Sequence, residues 1–187
     1  MFITLKWRNE KYKYNREEGP AKIVKRNNHS FINEWYIDGK RHREKYPAVE
    51  NYFHDENDFV IHHIDVETNL KLKKGIYKWY EHDLLHREND NPSVIIIDNI
   101  GKTLEYHYKG KIHRLLGPAK KIFIDNEVFK TYYINGNFYE ENKFINIIRI
   151  VNKFINKIKR SLKNKYINAI YPTYYYYTYQ ILTYINN

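Results

Sequence analysis

Histidine and acidic side chains are the residues of this chain that could carry chemistry. The sequence has nine histidines and 22 Asp and Glu residues among 187, which makes metal binding and acid–base catalysis the first enzymatic hypotheses. Three histidines each precede an arginine: His42 and Arg43, His86 and Arg87, His113 and Arg114. A position that recurs at a fixed interval is typical of contacts between repeats, whereas an active site needs one convergence of different groups. We therefore predict no catalytic or metal-binding role for these residues and no cofactor.

A second group of histidines and acids does not follow the repeat. It consists of His54, His62 and His63 with Asp55, Asp58 and Asp65. His62 and His63 are adjacent in a strand-like run, so their side chains point to opposite faces and cannot both enter one metal site without a bulge. A glycine-rich phosphate loop, a serine nucleophile elbow and a His-Glu-x-x-His motif are missing from the sequence. Because the chain also has no cysteine, disulfides, thiolate zinc sites and a cysteine nucleophile are excluded. We infer no small-molecule substrate and predict that the protein is not an enzyme.

Tandem repeats position the three His-Arg pairs. The clearest copy runs from Trp35 to Ala48, and its elements recur from Trp79 to Pro92 and from Tyr106 to Ala119. Partial copies end at Gly19-Pro20-Ala21 and begin at Tyr132. The aromatic residue precedes the histidine by seven positions in all three complete copies. Repeats of this kind predict one supersecondary unit per copy.

Each repeat is predicted to contain a tight β-hairpin. Asp38-Gly39 and Asn135-Gly136 favour a two-residue type I′ turn, because both central positions of that turn need positive φ. A turn centred on Asp38 and Gly39 pairs Trp35 with His42 and Glu34 with Arg43. The same rule, applied at Lys109-Gly110 and His82-Asp83, predicts three further cross-strand pairs: Tyr106 with His113, Glu105 with Arg114, and Trp79 with His86.

The fold class follows from these hairpins. The β-branched run from Phe59 to Val66 and the segment from Leu70 to Leu72 predict an added hairpin near residues 50–77. We predict a mainly β fold in which residues 1–141 form one open antiparallel meander of repeated hairpins with about eight to eleven strands. Residues 142–187 are predicted to form a C-terminal amphipathic α-helix and a tyrosine-rich tail.

The repeat resembles a known class. The pattern aromatic-Tyr-x-x-Gly-Lys-x-His-Arg-x-x-Gly-Pro-Ala is similar to the short tandem hairpin repeats, distantly similar to MORN repeats, of uncharacterised proteins from giant DNA viruses and some phages. The resemblance covers roughly residues 5–140. It implies an open repeat sheet, no shared catalytic residues and a viral origin.

The positive charge of the chain is concentrated in its last quarter. The net charge is +10, yet residues 1–142 carry 24 basic and 22 acidic groups, while residues 143–187 carry eight basic groups and no acidic one. A nearly neutral body gives no general phosphate-binding surface, so nucleic acid is an unlikely partner. The apolar start is interrupted at Lys6 and Arg8, short of a signal-peptide core. We expect an intracellular protein that is not secreted, located in host cytoplasm or in the virion if viral.

The predicted helix has an apolar and a basic face. Phe144, Ile148, Val151, Ile155, Ile158 and Leu162 form one stripe, and the opposite face carries Arg149, Lys153, Lys157 and Arg160. Docking of the stripe on the sheet with a solvated basic face is the favoured interpretation. The open alternatives are an anionic membrane surface, a protein partner and nucleic acid. The tyrosine-rich run from Tyr171 to Tyr179 favours an edge strand or an oligomer contact, because no Lys or Arg accompanies it to hold phosphates.

Overall fold

A computed structural model of the chain describes residues 3–16, 18–26, 30–53, 63–65, 69 and 71–161. These residues form eighteen strands and one helix: β1 (Ile3–Lys6), β2 (Lys22–Lys25), β3 (Ser30–Glu34), β4 (Tyr36–Ile37), β5 (Lys40–Arg41), β6 (Val49–Phe53), β7 (His63–Ile64), β8 (Lys71–Leu72), β9 (Gly75–Lys78), β10 (Tyr80–Glu81), β11 (Leu84–Leu85), β12 (Val94–Ile97), β13 (Gly101–Glu105), β14 (His107–Tyr108), β15 (Lys111–Ile112), β16 (Lys120–Ile124), β17 (Glu127–Ile134), β18 (Asn137–Tyr139) and α1 (Glu141–Ser161). The chain divides into two compact units, one ending at Phe138 and the other beginning at Tyr139.

Ten of the strands form one open antiparallel sheet. Its order is β1-β2-β3-β6-β9-β12-β13-β16-β17-β18, so each strand lies beside the sheet strand that precedes it in the chain. This arrangement is a meander with β1 at one edge and β18 at the other. The prediction of a mainly β fold, with an open antiparallel meander and a C-terminal helix, is confirmed.

The hairpins of the repeat motif are separate from this sheet, although we predicted that they would be part of one continuous antiparallel sheet. Four two-stranded hairpins lie outside it: β4-β5, β7-β8, β10-β11 and β14-β15. In the second repeat the ladder stops after His42, because Lys45 adopts a positive φ of 59° and Pro47 has no N–H to donate. The chain rejoins the sheet where the Trp35 N–H donates to the Ala48 carbonyl at 2.9 Å.

The predicted register of the motif hairpins is confirmed. The His42 N–H donates to the Trp35 carbonyl at 3.1 Å. The equivalent bonds join His86 to Trp79 at 3.2 Å and His113 to Tyr106 at 2.9 Å. The aromatic residue and the histidine of each complete repeat are therefore cross-strand neighbours.

The turns have the positive φ values that type I′ geometry requires. Asp38 and Gly39 have φ of 49° and 83°, and the other turns at Lys109-Gly110 and Asn135-Gly136 also have positive φ at both positions. Asp83 occupies the glycine position of the third repeat with φ of 72°. Its carboxylate accepts the N–H and Nε–H of Arg41 at 3.0 and 2.9 Å, which offsets part of the cost of this conformation.

Successive hairpins are joined side by side through their turns. The second central residue of each turn donates its N–H to the strand of the preceding repeat, in four bonds of 2.8–2.9 Å: Gly39 to Tyr14, Asp83 to Arg41, Gly110 to Leu85 and Gly136 to Ile112. Each hairpin is thereby fixed to the one before it. The repeats stack in register along the sheet for this reason.

The core lies on one face of the central strands. Tyr77, Ile95 and Leu104 are directly opposite one another on β9, β12 and β13, and they are buried with Trp79, Ile97, Tyr106 and Leu72. Leu72 comes from β8, in the interval where the added hairpin was predicted. Residues 54–62 and the histidines at positions 54 and 62 lie outside the described residues.

Helix α1 is amphipathic over its described side chains, with one difference from the predicted stripe. Phe144 and Val151 are buried, but Ile147 is buried where Ile148 was predicted, and Ile148 is half-buried. Arg149 and Lys153 are exposed as predicted. The side chains of Ile155, Ile158 and Arg160, together with residues 162–187 and their tyrosine-rich run, lie outside the described part of the chain.

Candidate functional site

An arginine stacks on the aromatic residue of every repeat that contains both. The guanidinium carbon lies 3.8–4.1 Å from the ring centroid in four pairs: Arg16 on Trp7, Arg43 on Trp35, Arg87 on Trp79 and Arg114 on Tyr106. The same arginines donate through Nη1 to the carbonyl of the following proline at 3.2–3.4 Å: Pro20, Pro47, Pro92 and Pro118. Each arginine therefore holds the loop that returns the chain to the sheet.

Three of these arginines also bind a carboxylate. Arg43 pairs with Glu50 at 2.9 Å, and Arg114 pairs with Asp90 at 2.7 Å. Arg87 and Asp65 form two bonds of 2.6 and 2.8 Å between side chains that are 3% and 2% exposed. Removing one partner of such a buried pair strongly destabilises the fold, because the other charge is left buried without a counter-charge.

The acidic partners differ from those that the sequence predicted. The expected pairs of Glu34 with Arg43 and Glu105 with Arg114 are wrong, because the strands diverge after the histidine. Glu34 instead binds Lys22, and Glu105 binds Lys120 at 2.8 Å. Each of these two acids is paired with a lysine of the neighbouring sheet strand.

Two of the three recurring histidines accept a hydrogen bond from the next hairpin, whereas Nδ1 of the third, His42, is buried without a hydrogen-bond partner among the described residues. The N–H of Asn135 donates to His113 Nδ1 at 2.9 Å, and that of Lys109 donates to His86 Nδ1 at 3.4 Å. An imidazole nitrogen that accepts a hydrogen bond is unprotonated, so these rings carry their proton on Nε2. In the first repeat Asn15 Oδ1 accepts the Asp38 N–H at 3.3 Å in the same way. An asparagine oxygen thus replaces the histidine nitrogen.

Burial opposes a positive charge on two of these histidines. It lowers the pKa of His113 from its ordinary value of 6.5 to about 4. Burial and the nearby His82 lower the pKa of His42, whose ring stacks on that of His82 with centroids 4.5 Å apart. Both shifts favour neutral rings, as their structural position requires.

A cleft of about 300 Å³ lies between the second and third repeats. Its walls include His42, Glu44, Glu81, His86 and Glu88. His86 Nε2 is 2.8 Å from a Glu88 oxygen and 3.9 Å from a Glu81 oxygen. Among the described residues, no serine, threonine or cysteine lines the cleft. No three His, Asp or Glu side chains in the described ranges are placed to hold a metal ion.

One serine and histidine pair has the distance of a nucleophile and its base. Ser93 Oγ lies 2.9 Å from His107 Nδ1, and burial lowers the pKa of His107. Ser93 is completely buried, at the position that Ala21, Ala48 and Ala119 occupy in the other repeats. Its hydroxyl cannot reach a substrate, so this contact is structural.

The basic residues predicted on the helix are partly described. Arg149, Lys153 and Lys157 are exposed on α1. The side chain of Arg160 lies outside the described residues. Within the ranges that the structure describes, no helix is both long and apolar enough to cross a membrane.

Sequence reasoning missed two parts of the repeated contact. Trp7 was not assigned to a repeat, because the first hairpin has one residue more than the others and its aromatic residue precedes Asn15 by eight positions. The Asn15-Arg16 pair before Gly19-Pro20-Ala21 was the available signal. No sequence pattern identifies the acids that bind the arginines. They lie 7, 22 and 24 positions from their partners, so they share no common interval.

No family model, no curated protein and no solved structure matches the chain. The resemblance to MORN-like viral repeats therefore stays a prediction.

Proposed function

We propose that the protein is a non-enzymatic repeat protein that acts as a structural or protein-interaction module. The observation that supports this is the use of the recurring motif residues within the fold. The guanidinium groups of Arg43, Arg87 and Arg114 are each stacked on a ring and paired with an acid. Residues with these internal partners are not available to bind and convert a substrate.

The open sheet supplies the surface for a protein partner or for self-association. Among the described residues, strand β1 is at an edge of the sheet, where the backbone N–H and C=O groups of one side have no strand to pair with. Its Ile3 and Leu5 side chains are exposed. Addition of a strand from another protein at such an edge is a common mode of recognition. The resemblance to viral repeats favours a role in an infected cell or in a virion.

Variants at His86 separate an interaction module from an enzyme. His86→Asn keeps a side-chain oxygen for the Lys109 N–H, as Asn15 does for Asp38, but removes an imidazole from the cleft. We expect this variant to retain the oligomeric state and the stoichiometric partners of the full-length protein, measured by light scattering and by quantitative cross-linking in the source cells. A turnover activity of the purified chain that His86→Asn abolishes would contradict the proposal.

The exposed cations of α1 favour a second candidate function, which is peripheral association with a membrane or with nucleic acid. Each Lys or Arg near an anionic bilayer contributes about 1 kcal/mol. Replacing Arg149, Lys153 and Lys157 with Gln should therefore weaken binding to phosphatidylserine vesicles on the order of 100-fold, in a manner that salt suppresses. Replacing Lys11, Lys40 and Lys111, which are exposed in the first unit, is the matched control. Equal losses in both triple variants would contradict a role for the helix.

A further inference from the structure

Two lysines lie directly opposite each other on neighbouring strands of the sheet. Lys121 on β16 pairs in register with Lys130 on β17. Like charges at such positions destabilise a sheet. Elsewhere the sheet places opposite charges across its strands, as in the pair of Lys120 with Glu105 at 2.8 Å. Lys6 and Lys22 are also directly opposite each other on β1 and β2, but Lys22 binds Glu34. The pair of Lys121 and Lys130 differs because neither lysine has a carboxylate partner among the described residues.

The other repeats have mostly apolar residues at these two positions. Lys121 follows the buried Ala119 by two residues, and its counterparts in the other repeats are Ile23, Glu50 and Ile95. Lys130 precedes Tyr132 by two residues, and its counterparts are Asn33, Tyr77 and Leu104. Three of these six residues, Tyr77, Ile95 and Leu104, belong to the buried core. The last repeat thus replaces core positions with two cations.

The surroundings of the pair leave it without an acidic partner. Asp90, the acid whose charge acts on Lys121, accepts three hydrogen bonds from Arg114. Burial, together with the charges of Arg114 and Lys130, lowers the pKa of Lys121. Within the part of the chain that the structure describes, neither Lys121 nor Lys130 forms a salt bridge.

A third lysine extends the positive surface on the same face. Lys102 on β13 is in register with Phe123, two positions along β16 from Lys121. Its Nζ lies 4.8 Å from the centroid of the Phe123 ring. Val128, which is opposite Phe123 on β17, is 43% exposed. We call this region the lysine surface. It combines three cations with one apolar side chain and consists of Lys102, Lys121, Lys130 and Val128.

We propose that this lysine surface binds a carboxylate-rich peptide segment of a partner protein. The inference rests on the proposed interaction function and adds the chemistry of the partner. Lysines attract carboxylates as point charges, and the apolar Val128 suits an aliphatic side chain between two acids. Nucleic acid is disfavoured, because base stacking needs a free aromatic face and Lys102 covers the ring of Phe123.

Fluorescence anisotropy with the full-length protein tests the proposal. The probe is a labelled peptide of alternating Glu and Val, and the same peptide with Gln in place of Glu is the ligand control. We expect the acidic peptide to bind, and the Lys121→Gln/Lys130→Gln variant to bind it about tenfold more weakly. The matched variant Lys40→Gln/Lys111→Gln removes the same charge from exposed positions on the hairpin strands β5 and β15 and should lose less than twofold in affinity.

Three results would overturn the proposal. They are failure of the acidic peptide to bind, equal losses in the two double variants, and tighter binding of a single-stranded oligonucleotide with the same dependence on Lys121 and Lys130. Circular dichroism checks that both variants fold, and removal of the lysine repulsion should not lower the unfolding midpoint. A fourth result, retention of all stoichiometric partners by the Lys121→Gln/Lys130→Gln variant in the source cells, would show that this site is wrong while the interaction function stands.

Discussion

Protonation of His113 should weaken the fold in mild acid. Its Nδ1 accepts the Asn135 N–H at 2.9 Å, its side chain is buried, and its pKa is lowered from 6.5 to about 4. The unfolded chain therefore binds a proton at a higher pH than the folded chain does. The contribution of His113 to the free energy of unfolding is fully present above pH 6.5. It falls as the pH drops from 6.5 towards 4 and changes little below that value.

The size of this effect follows from the shift. One unit of pKa corresponds to about 1.4 kcal/mol, so a shift from 6.5 to about 4 is worth about 3 kcal/mol in all. Between pH 7 and pH 5, roughly 2 kcal/mol of the free energy of unfolding should be lost through His113 alone. Burial also lowers the pKa of His42 and of His107, so other groups contribute to the acid sensitivity.

Urea unfolding of His113→Asn at pH 7 and pH 5 isolates the contribution of His113. The variant keeps an oxygen acceptor for the Asn135 N–H, as Asn15 does for Asp38, and it cannot titrate. We expect its stability at pH 7 to lie within about 1 kcal/mol of the wild type, and its loss on going to pH 5 to be smaller by roughly 2 kcal/mol.

The reasoning would be refuted if His113→Asn and the wild type lost the same free energy between pH 7 and pH 5. His113→Ala provides a further check, because it removes the acceptor and leaves a buried N–H without a partner. Its stability at pH 7 should fall by about 1–3 kcal/mol relative to His113→Asn.

Four further substitutions, in two matched pairs, test the packing of the repeats. Asp65→Asn leaves the buried Arg87 guanidinium without its counter-charge and should lower the free energy of unfolding by about 3–5 kcal/mol. Asp90→Asn, in the more exposed pair, should lower it by less. Equal losses in urea titrations would contradict the role of burial. Gly101→Ala would place a Cβ 1.8 Å from a carbonyl oxygen of β16 and should cost at least about 3 kcal/mol. Gly136→Ala meets no atom within 4 Å and has a φ of 86°, so it should cost only about 1–2 kcal/mol; the reverse order of melting temperatures would show that close approach at Gly101 does not limit the fold.

The local geometry of each hairpin could be predicted from the sequence because it depends on neighbouring residues. Asp38-Gly39 requires a type I′ turn, and that turn brings the backbones of Trp35 and His42 together. The recurrence of the same spacing then identified the meander. The first repeat was harder to see, because one extra residue separates Trp7 from Asn15.

The partners of the arginines could not be predicted because they depend on how the repeats pack. Glu34 is the cross-strand neighbour of Arg43 only if the hairpin ladder continues, and it ends after His42. The guanidinium then meets Glu50, which β6 supplies on the returning strand. For Arg87 the acid comes from Asp65, which follows the added hairpin strand β7. Tertiary contacts of this kind leave no fixed interval in the sequence.

Nitrogen-15 NMR of the imidazole rings tests the central claim most directly, namely that the recurring histidines hold the hairpins together rather than perform chemistry. At pH 7 the account predicts that the His113 ring is neutral, and that His86 and His113 both show an Nδ1 shift typical of a hydrogen-bond acceptor. Added Zn²⁺ should leave these signals unchanged. A protonated Nδ1 at either residue, or stoichiometric displacement of its signals by the metal, would contradict the account.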